Sequence, residues 1–236
     1  MQDSEITQAI HANVNAALAE DLGPGDLTAQ LIPAERMATA TLIAREEAIL
    51  CGQAWFDACF KTLDSNTQIQ WFVAEGEGFK ANTALCEIHG KARAILSAER
   101  PALNFLQTLS GTATATRRYV QAIAGTGAVI MDTRKTLPGL RIAQKYAVKI
   151  GGGANQRIGL FDGVLIKENH IAAAGGIGAA LAAAQRQTPP GVSIQIEVES
   201  LDELEQALAA GAQRVLLDNF DLDQMHAAVQ LTHKRA

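Results

Sequence analysis

The feature that most constrains the fold is a regular alternation of short apolar segments and helical segments in the second half of the chain. The predicted strands are 128–134, 163–168, 192–199 and 214–219. The segments 176–187 and 200–211 have helical patterns, and the second begins with acidic residues and ends at a glycine. Strands that alternate with helices form parallel sheets with right-handed crossovers. We therefore expect a parallel β/α barrel in this half rather than a doubly wound sheet.

The first half has a mixed pattern of helices and strands. In order, it predicts a helix at 6–23, strand-like residues at 37–52, a helix at 52–64, strand-like residues at 68–79 and a helix at 97–125. We also expect two strands within 78–96, joined by a turn at Gly90, and a break in the last helix at Ser110 and Gly111. The change of pattern falls near Thr108, which predicts domains at 1–108 and 109–236.

Composition and charge exclude several classes of protein. The net charge of −5 argues against nucleic-acid binding, which needs a basic excess to neutralise phosphates. No apolar run approaches the ~20 residues that cross a membrane, and the acidic start is unlike a signal peptide. Cys51, Cys59 and Cys86 lack metal-ligand spacing and are interpreted as buried thiols in a reducing compartment. We expect a cytoplasmic protein.

Charged residues end each of the predicted strands in the second half. They are Asp132, Arg134 and Lys135, then Lys167 and Glu168, then Glu197 and Glu199, and finally Asp218. In a parallel barrel the carboxyl ends of the strands form one open face that carries the active site. Charges there are costly to bury unless they are paired or used. Their repetition predicts an enzyme that binds a polyanionic substrate.

The most informative stretch is DTRKTLPGLRIAQKYAVKIGGGANQRIGLFDGVLIKENH at 132–170. Together with 18–29, 99–111 and 216–220, its motifs resemble those of the quinolinate phosphoribosyltransferases, in the same order along nearly the whole chain. The resemblance implies an N-terminal α/β sandwich domain followed by an incomplete parallel β/α barrel. It also implies that quinolinate reacts with phosphoribosyl pyrophosphate to give nicotinate mononucleotide, pyrophosphate and CO2.

The resemblance also implies roles for the cationic residues. Arg134, Arg157 and Lys167 would bind the carboxylates of quinolinate, and Lys135 would lie between the two substrates. Arg100 would reach the site of a partner subunit, which implies a homodimer with shared active sites. The chemistry agrees, because the planar guanidinium group of arginine donates two parallel hydrogen bonds to a carboxylate.

The acidic residues have a different implied role. By resemblance, Glu197 and Asp218 would contact the ribose hydroxyls and a Mg²⁺ ion, which prefers carboxylates together with substrate oxygens. Either residue could instead be a solvated carboxylate at a strand end, and Glu199 is the weaker candidate. The three glycines at 151–153 predict a tight turn rather than a phosphate-binding loop, because no Gly-Lys-Ser or Gly-Lys-Thr follows them.

The chain departs from the family pattern in two places. Gln156 stands where the family usually has histidine, and the sequence ends at 236, before the family's final strands. We expect from this ending a truncated form that is impaired in using phosphoribosyl pyrophosphate. Two alternatives stay open: a related phosphoribosyltransferase for another pyridine or for a molybdenum-transport-linked substrate, and a non-catalytic dicarboxylate-binding protein.

Overall fold

The chain folds into two compact units, as seen in a computed structural model that describes residues 2–236. The first unit ends at Gln156 and the second runs from Arg157 to Ala236. Within the described part of the chain, no helix is both long enough and apolar enough to cross a bilayer. Each unit has its own hydrophobic core.

The first unit combines helices with two small antiparallel sheets. Its elements are α1 (Asp3–Leu22), β1 (Met37–Ile43), β2 (Ala48–Ile49), α2 (Gln53–Leu63), β3 (Gln68–Trp71), β4 (Gly78–Phe79), β5 (Ala84–Lys91), α3 (Ala92–Ala122) and α4 (Arg141–Ile150). One sheet has the order β1-β5-β3, and the other pairs β2 with β4. Trp55, Phe56 and Phe60 of α2 are fully buried against the sheet and against α3. The predicted α/β character of this region is confirmed.

The second unit is a parallel β/α arrangement. Its elements are β6 (Gly163–Ile166), α5 (Glu168–Ala174), α6 (Ile177–Gln187), β7 (Ser193–Val198), α7 (Leu201–Ala209), β8 (Val215–Leu217) and α8 (Leu222–Thr232). The sheet has the order β6-β7-β8, and all its pairings are parallel. Ser200 caps α7 by accepting from the backbone N–H of Glu203 at 3.2 Å, as the acidic, polar helix start predicts. The predicted parallel β/α fold is confirmed for this unit.

Three local predictions are wrong, each because a distant contact decides the conformation. Residues 128–134 do not form a strand, since only Met131 makes a bridge, to Ala154. Gly90 is not in a turn but lies inside β5 opposite Ala38. There is no break at 110–111, because the Ser110 hydroxyl bonds to both backbone groups of Cys51 and α3 continues to Ala122.

The three cysteines are free and buried, as predicted. Burial raises the pKa of Cys59 and Cys86 from an ordinary value of 9.0 to about 12. Burial, together with the nearby carboxylate of Glu75, also raises the pKa of Cys51. At neutral pH these thiols therefore stay protonated and behave as small apolar side chains.

The glycines at 151–153 form a helix-ending turn, which confirms the predicted tight turn. The N–H groups of Gly152 and Gly153 donate to the carbonyls of Lys149 and Val148 at 2.9 and 3.0 Å, and Gly152 has φ +96°. This is a Schellman motif. Its N–H groups are used within the chain, so they are not available to hold a phosphate.

Replacing Gly151 with alanine is expected to destabilise the first unit. A Cβ atom at Gly151 would lie 2.6 Å from the carbonyl oxygen of Ala113 and 2.6 Å from Thr116 Cβ, so α3 and α4 would have to move apart. We expect Gly151→Ala to lower the free energy of unfolding by about 1–3 kcal/mol in urea titration. Gly111→Ala is the matched control, because a Cβ atom there meets nothing within 4 Å. It should be neutral or stabilise α3 by up to about 1 kcal/mol. Equal losses for both variants would contradict this packing argument.

Candidate functional site

An irregular segment in the first unit carries two of the predicted cationic residues. Arg134 and Lys135 lie in the cationic segment, which we define as 132–136, between the Met131 bridge and α4. Thr133 Oγ1 accepts from the Lys135 N–H at 3.0 Å, and the Arg134 carbonyl accepts from the Thr136 N–H at 3.0 Å. The turn that follows places Gly139 at φ +77°. Local hydrogen bonds therefore define this backbone without a helix or strand.

The two cations of this segment differ in exposure. Arg134 is half-buried, and its Nε atom is buried without a hydrogen-bond partner anywhere in 2–236. Lys135 is exposed. A buried donor of this kind costs free energy unless something pairs with it, and a carboxylate or phosphate is its natural partner. Arg100, the third predicted cation of this unit, lies exposed on α3.

A buried network of charges lies directly before Arg134. Lys145 of α4 is fully buried, and its Nζ donates to Asp132 Oδ1 and, at 3.0 Å, to the Gln156 carbonyl. Asp132 Oδ1 also accepts from the Gln156 N–H at 2.9 Å, and Oδ2 accepts from Asn155 Nδ2 at 2.6 Å. We call Asp132, Lys145, Asn155 and the Gln156 backbone the buried network. It joins three parts of the chain that are separate in sequence.

Lys145 was not predicted from the sequence as a site residue. Its partners Asp132 and Asn155 lie 13 and 10 residues away, and no helical or strand spacing relates residues that far apart. One sequence feature could have pointed to it: Lys145 lies between Ala143 and Ala147 on α4, and the structure buries both alanines fully. A charged residue among small apolar residues of a short helix suggests an ion-pair partner in the core, but the sequence does not identify that partner.

In the second unit the structure brings two predicted site residues into contact. Lys167 follows β6 and Glu197 lies near the end of β7, and Lys167 Nζ is 3.3 Å from Glu197 Oε1. Glu197 is only 9% exposed, whereas the Lys167 side chain is 45% exposed. Asp218 follows β8, and its N–H donates to the Val198 carbonyl at 2.9 Å. All three residues therefore lie at the carboxyl ends of neighbouring parallel strands, as predicted.

A tight turn holds Arg157 at the start of the second unit. Asp162 accepts from the N–H groups of Ile158 and Gly159, both at 2.8 Å. Arg157 is half-buried, and its Nη1 donates to the Gly163 carbonyl at 3.0 Å. The guanidinium group is thus tied to the first residue of β6, so its position depends on the sheet rather than on a mobile loop.

The acidic residues around β7 line a small cavity of about 150 Å³. Its lining comprises Glu168, Ile171, Ala172, Glu197, Glu199 and Glu203. Glu199 is exposed, and its N–H donates to Glu203 Oε2 at 2.8 Å. His170 Nδ1 accepts from the Lys167 N–H at 3.0 Å, so this histidine helps to shape the start of α5.

These features define a two-unit α/β protein with charged groups at the carboxyl ends of a parallel sheet. The family model described as "Quinolinate phosphoribosyl transferase, N-terminal domain" matches residues 26–110, and the corresponding C-terminal domain model matches 112–236. The chain belongs to the quinolinate phosphoribosyl transferase family.

Individual relatives agree with this assignment. A probable nicotinate-nucleotide pyrophosphorylase [carboxylating] of Bacillus subtilis is 42% identical, over 93% of this chain and 76% of its own length. The enzyme of that name from Mycobacterium leprae is 40% identical, over 97% of this chain and 81% of its own. The solved nicotinate-nucleotide pyrophosphorylase of Francisella tularensis matches with a TM-score of 0.91 and 47% identity, over 96% of this chain and 80% of that one.

The two buried or partly buried lysines are expected to differ sharply in their effect on stability. Lys145→Met leaves Asp132 buried without its cation, which should lower the free energy of unfolding by about 3–5 kcal/mol. Lys167→Met leaves the Glu197 carboxylate, which is 9% exposed, without its cation and should cost about 1–3 kcal/mol, less than Lys145→Met because Lys167 itself reaches water. Urea titration of both variants checks this. Similar losses for the two would show that the buried network is not the stronger interaction.

Proposed function

We propose that this protein transfers the phosphoribosyl group of phosphoribosyl pyrophosphate to quinolinate and decarboxylates the product. The products are nicotinate mononucleotide, pyrophosphate and CO2, and the reaction serves de novo NAD biosynthesis. The family match over 26–110 and 112–236 is the observation that carries this proposal. Arg134 supports it, because its guanidinium group is only half-buried and suits the carboxylates of a planar dicarboxylate.

The cations are assigned to the dicarboxylate. Arg134, Arg157 and Lys167 bind the two carboxylates of quinolinate, and each charge-assisted hydrogen bond contributes roughly 1.5–3 kcal/mol when it is well placed. Lys135, which is exposed, faces charge from both substrates. Lys167 already has an anionic partner at 3.3 Å in Glu197, so binding a carboxylate would replace or share that contact.

The proposed chemistry consists of two bond exchanges and needs no covalent intermediate with the protein. The pyridine nitrogen attacks the anomeric carbon of the ribose as the bond to pyrophosphate breaks, through a loose transition state with positive charge on that carbon. The adjacent carboxylate then leaves as CO2, and the pyridinium nitrogen stabilises the electron pair that remains until a proton replaces it. Positioning and electrostatic stabilisation supply most of the rate.

The acids are assigned to the ribose and the metal. Glu197 and Asp218 lie at neighbouring strand ends, and among residues 2–236 no group of three or more His, Cys, Asp or Glu side chains could hold a metal ion. Two carboxylates suit Mg²⁺ that shares its coordination with substrate phosphates. We propose that both residues contact the ribose hydroxyls and would hold Mg²⁺, which would supply positive charge to the departing pyrophosphate.

We further propose that the enzyme is a cytoplasmic homodimer with shared sites. Arg100 is exposed on α3, in a segment that resembles the family, and is assigned to the site of the partner subunit. The free, buried cysteines are compatible with a reducing compartment.

A coupled assay for nicotinate mononucleotide, run with and without quinolinate, tests the proposed reaction. We expect Lys135→Ala to lower kcat more than quinolinate binding, because Lys135 meets charge from both substrates. Arg157→Ala should weaken quinolinate binding first, since it pairs with a ground-state carboxylate. Steady-state kinetics and calorimetric titration separate the two effects.

Lys61→Ala and Arg186→Ala are the controls, because both remove exposed cations from the last turns of helices, α2 and α6, and neither is an assigned residue. Both controls should behave as wild type. Product formation that does not depend on quinolinate would point to another substrate, which a panel of pyridines would identify. Quinolinate binding without any product would instead favour the non-catalytic binding protein.

Shared sites predict complementation between two inactive variants. Mixed Arg100→Ala and Lys135→Ala chains form heterodimers in which one site contains both substitutions and the other contains neither. We expect partial recovery of activity, up to about half of the wild-type rate for each heterodimer on this symmetry argument. Homodimers of each variant, mixed after assembly without exchange, provide the baseline. A verified heterodimer with no activity would refute the shared site.

A further inference from the structure

The buried network contains two opposite charges, and stabilisation of the fold alone does not account for burying them. Lys145 is 0% exposed and the Asp132 side chain is 7% exposed. Replacing a buried ion pair with apolar residues of similar volume is often neutral or stabilising, so such a pair is weak support for a purely stabilising role. Hydrogen-bonded charges do, however, fix geometry, because each group tolerates few positions once it is away from water. The network is therefore better suited to holding backbone in place.

The backbone it holds is the start of the cationic segment. Asp132 lies two residues before Arg134, and its own N–H donates to the Ala154 carbonyl at 3.1 Å. Its carboxylate is bound by Lys145, Asn155 and the Gln156 N–H, so both its backbone and its side chain are fixed. The other end of the segment is held by α4, where Arg141 Nε donates to Thr136 Oγ1 at 3.2 Å. Arg134 and Lys135 lie between these two attachments, where the local hydrogen bonds of the segment and a bond from Arg141 Nη2 to the Arg134 carbonyl at 3.4 Å add to the hold on the backbone.

We propose that Lys145 is a positioning residue for the reaction: through Asp132 it fixes the segment that presents Arg134 and Lys135 to the anionic substrates. The catalytic half of this inference rests on the proposed function. The positioning half does not, because it concerns the order of residues 132–136 whether or not a substrate binds. A displacement of about 1 Å at a binding group can cost on the order of 100-fold in rate, so a loosened segment should impair catalysis strongly.

The test uses a double variant of the full chain that removes both charges together. Lys145→Met combined with Asp132→Asn leaves no unpaired charge buried and keeps an amide oxygen to accept from the Gln156 N–H, while the hydrogen bond from Asn155 Nδ2 is lost together with the ion pair. The matched control, Lys91→Met with Glu35→Gln, makes the same chemical changes in an exposed ion pair of the same unit, with side chains 41% and 83% exposed. Asn155→Ala is a milder second variant, because it keeps the ion pair but removes the hydrogen bonds to Asp132 Oδ2 and to the Lys145 carbonyl.

Trypsin supplies a readout that does not depend on activity, since it cleaves after Arg134 and Lys135. Cleavage of a folded protein reports how often the local backbone opens. We expect the double variant to be cut at these two bonds about tenfold faster or more, and Asn155→Ala about threefold faster, with the thermal unfolding midpoint monitored in parallel. The control pair should be cut at the wild-type rate. If the double variant does not fold, Asn155→Ala carries the comparison.

Kinetics of the folded variants complete the test. The double variant should lose about 100-fold in kcat/KM for quinolinate, with both kcat and KM affected. Unchanged cleavage at these bonds and unchanged kcat/KM per folded molecule would overturn the inference and leave the network a purely structural feature. Faster cleavage without nicotinate mononucleotide formation by the wild type would instead overturn the proposed function and support the positioning role.

Discussion

The ion pair between Lys145 and Asp132 is the interaction on which the geometry of the first unit's candidate site depends. Both charges are shielded from water. The ion pair and the surrounding hydrogen bonds therefore have to offset the free-energy cost of burying them. This requirement brings together α4, the turn that ends it and the segment before Arg134. A cationic segment without regular secondary structure thereby acquires a defined backbone, which a binding site for planar carboxylates needs.

Much of the fold follows from local sequence patterns. The wrong predictions fall where contacts between residues distant in sequence determine the secondary structure. The parallel strands of the second unit and its helices α6 and α7 were predicted because periodicity, capping and glycine stops agree there, whereas α5 was not predicted. Residues 128–134 look like a strand by composition, yet the backbone around Asp132 bonds to Ala154 and to the buried network instead. Ser110 and Gly111 look like a helix break, yet a contact with Cys51, 59 residues away, uses the Ser110 hydroxyl. Such contacts leave no trace in local spacing.

The candidate site likewise contains residues that could be predicted from the sequence and residues that could not. Arg134, Lys135, Arg157, Lys167, Glu197, Asp218 and Arg100 were named from motifs, because strand ends and family resemblance are readable in sequence. The network behind Arg134 was not, since its members are linked only in three dimensions. The contact between Lys167 and Glu197 was also not predicted, although both residues were named. A sequence identifies groups that meet a ligand more readily than groups that orient them.

The protonated, inaccessible state of the cysteines has a practical consequence for studying this protein. Cys51, Cys59 and Cys86 are buried, and their thiolates are disfavoured at neutral pH. Thiol-reactive dyes should therefore not label the native protein. One cysteine placed on each unit, for example by Lys61→Cys and Arg186→Cys, would then be the only reactive groups. Fluorescence measurements of the distance between the two units could therefore be made without first replacing the three native cysteines.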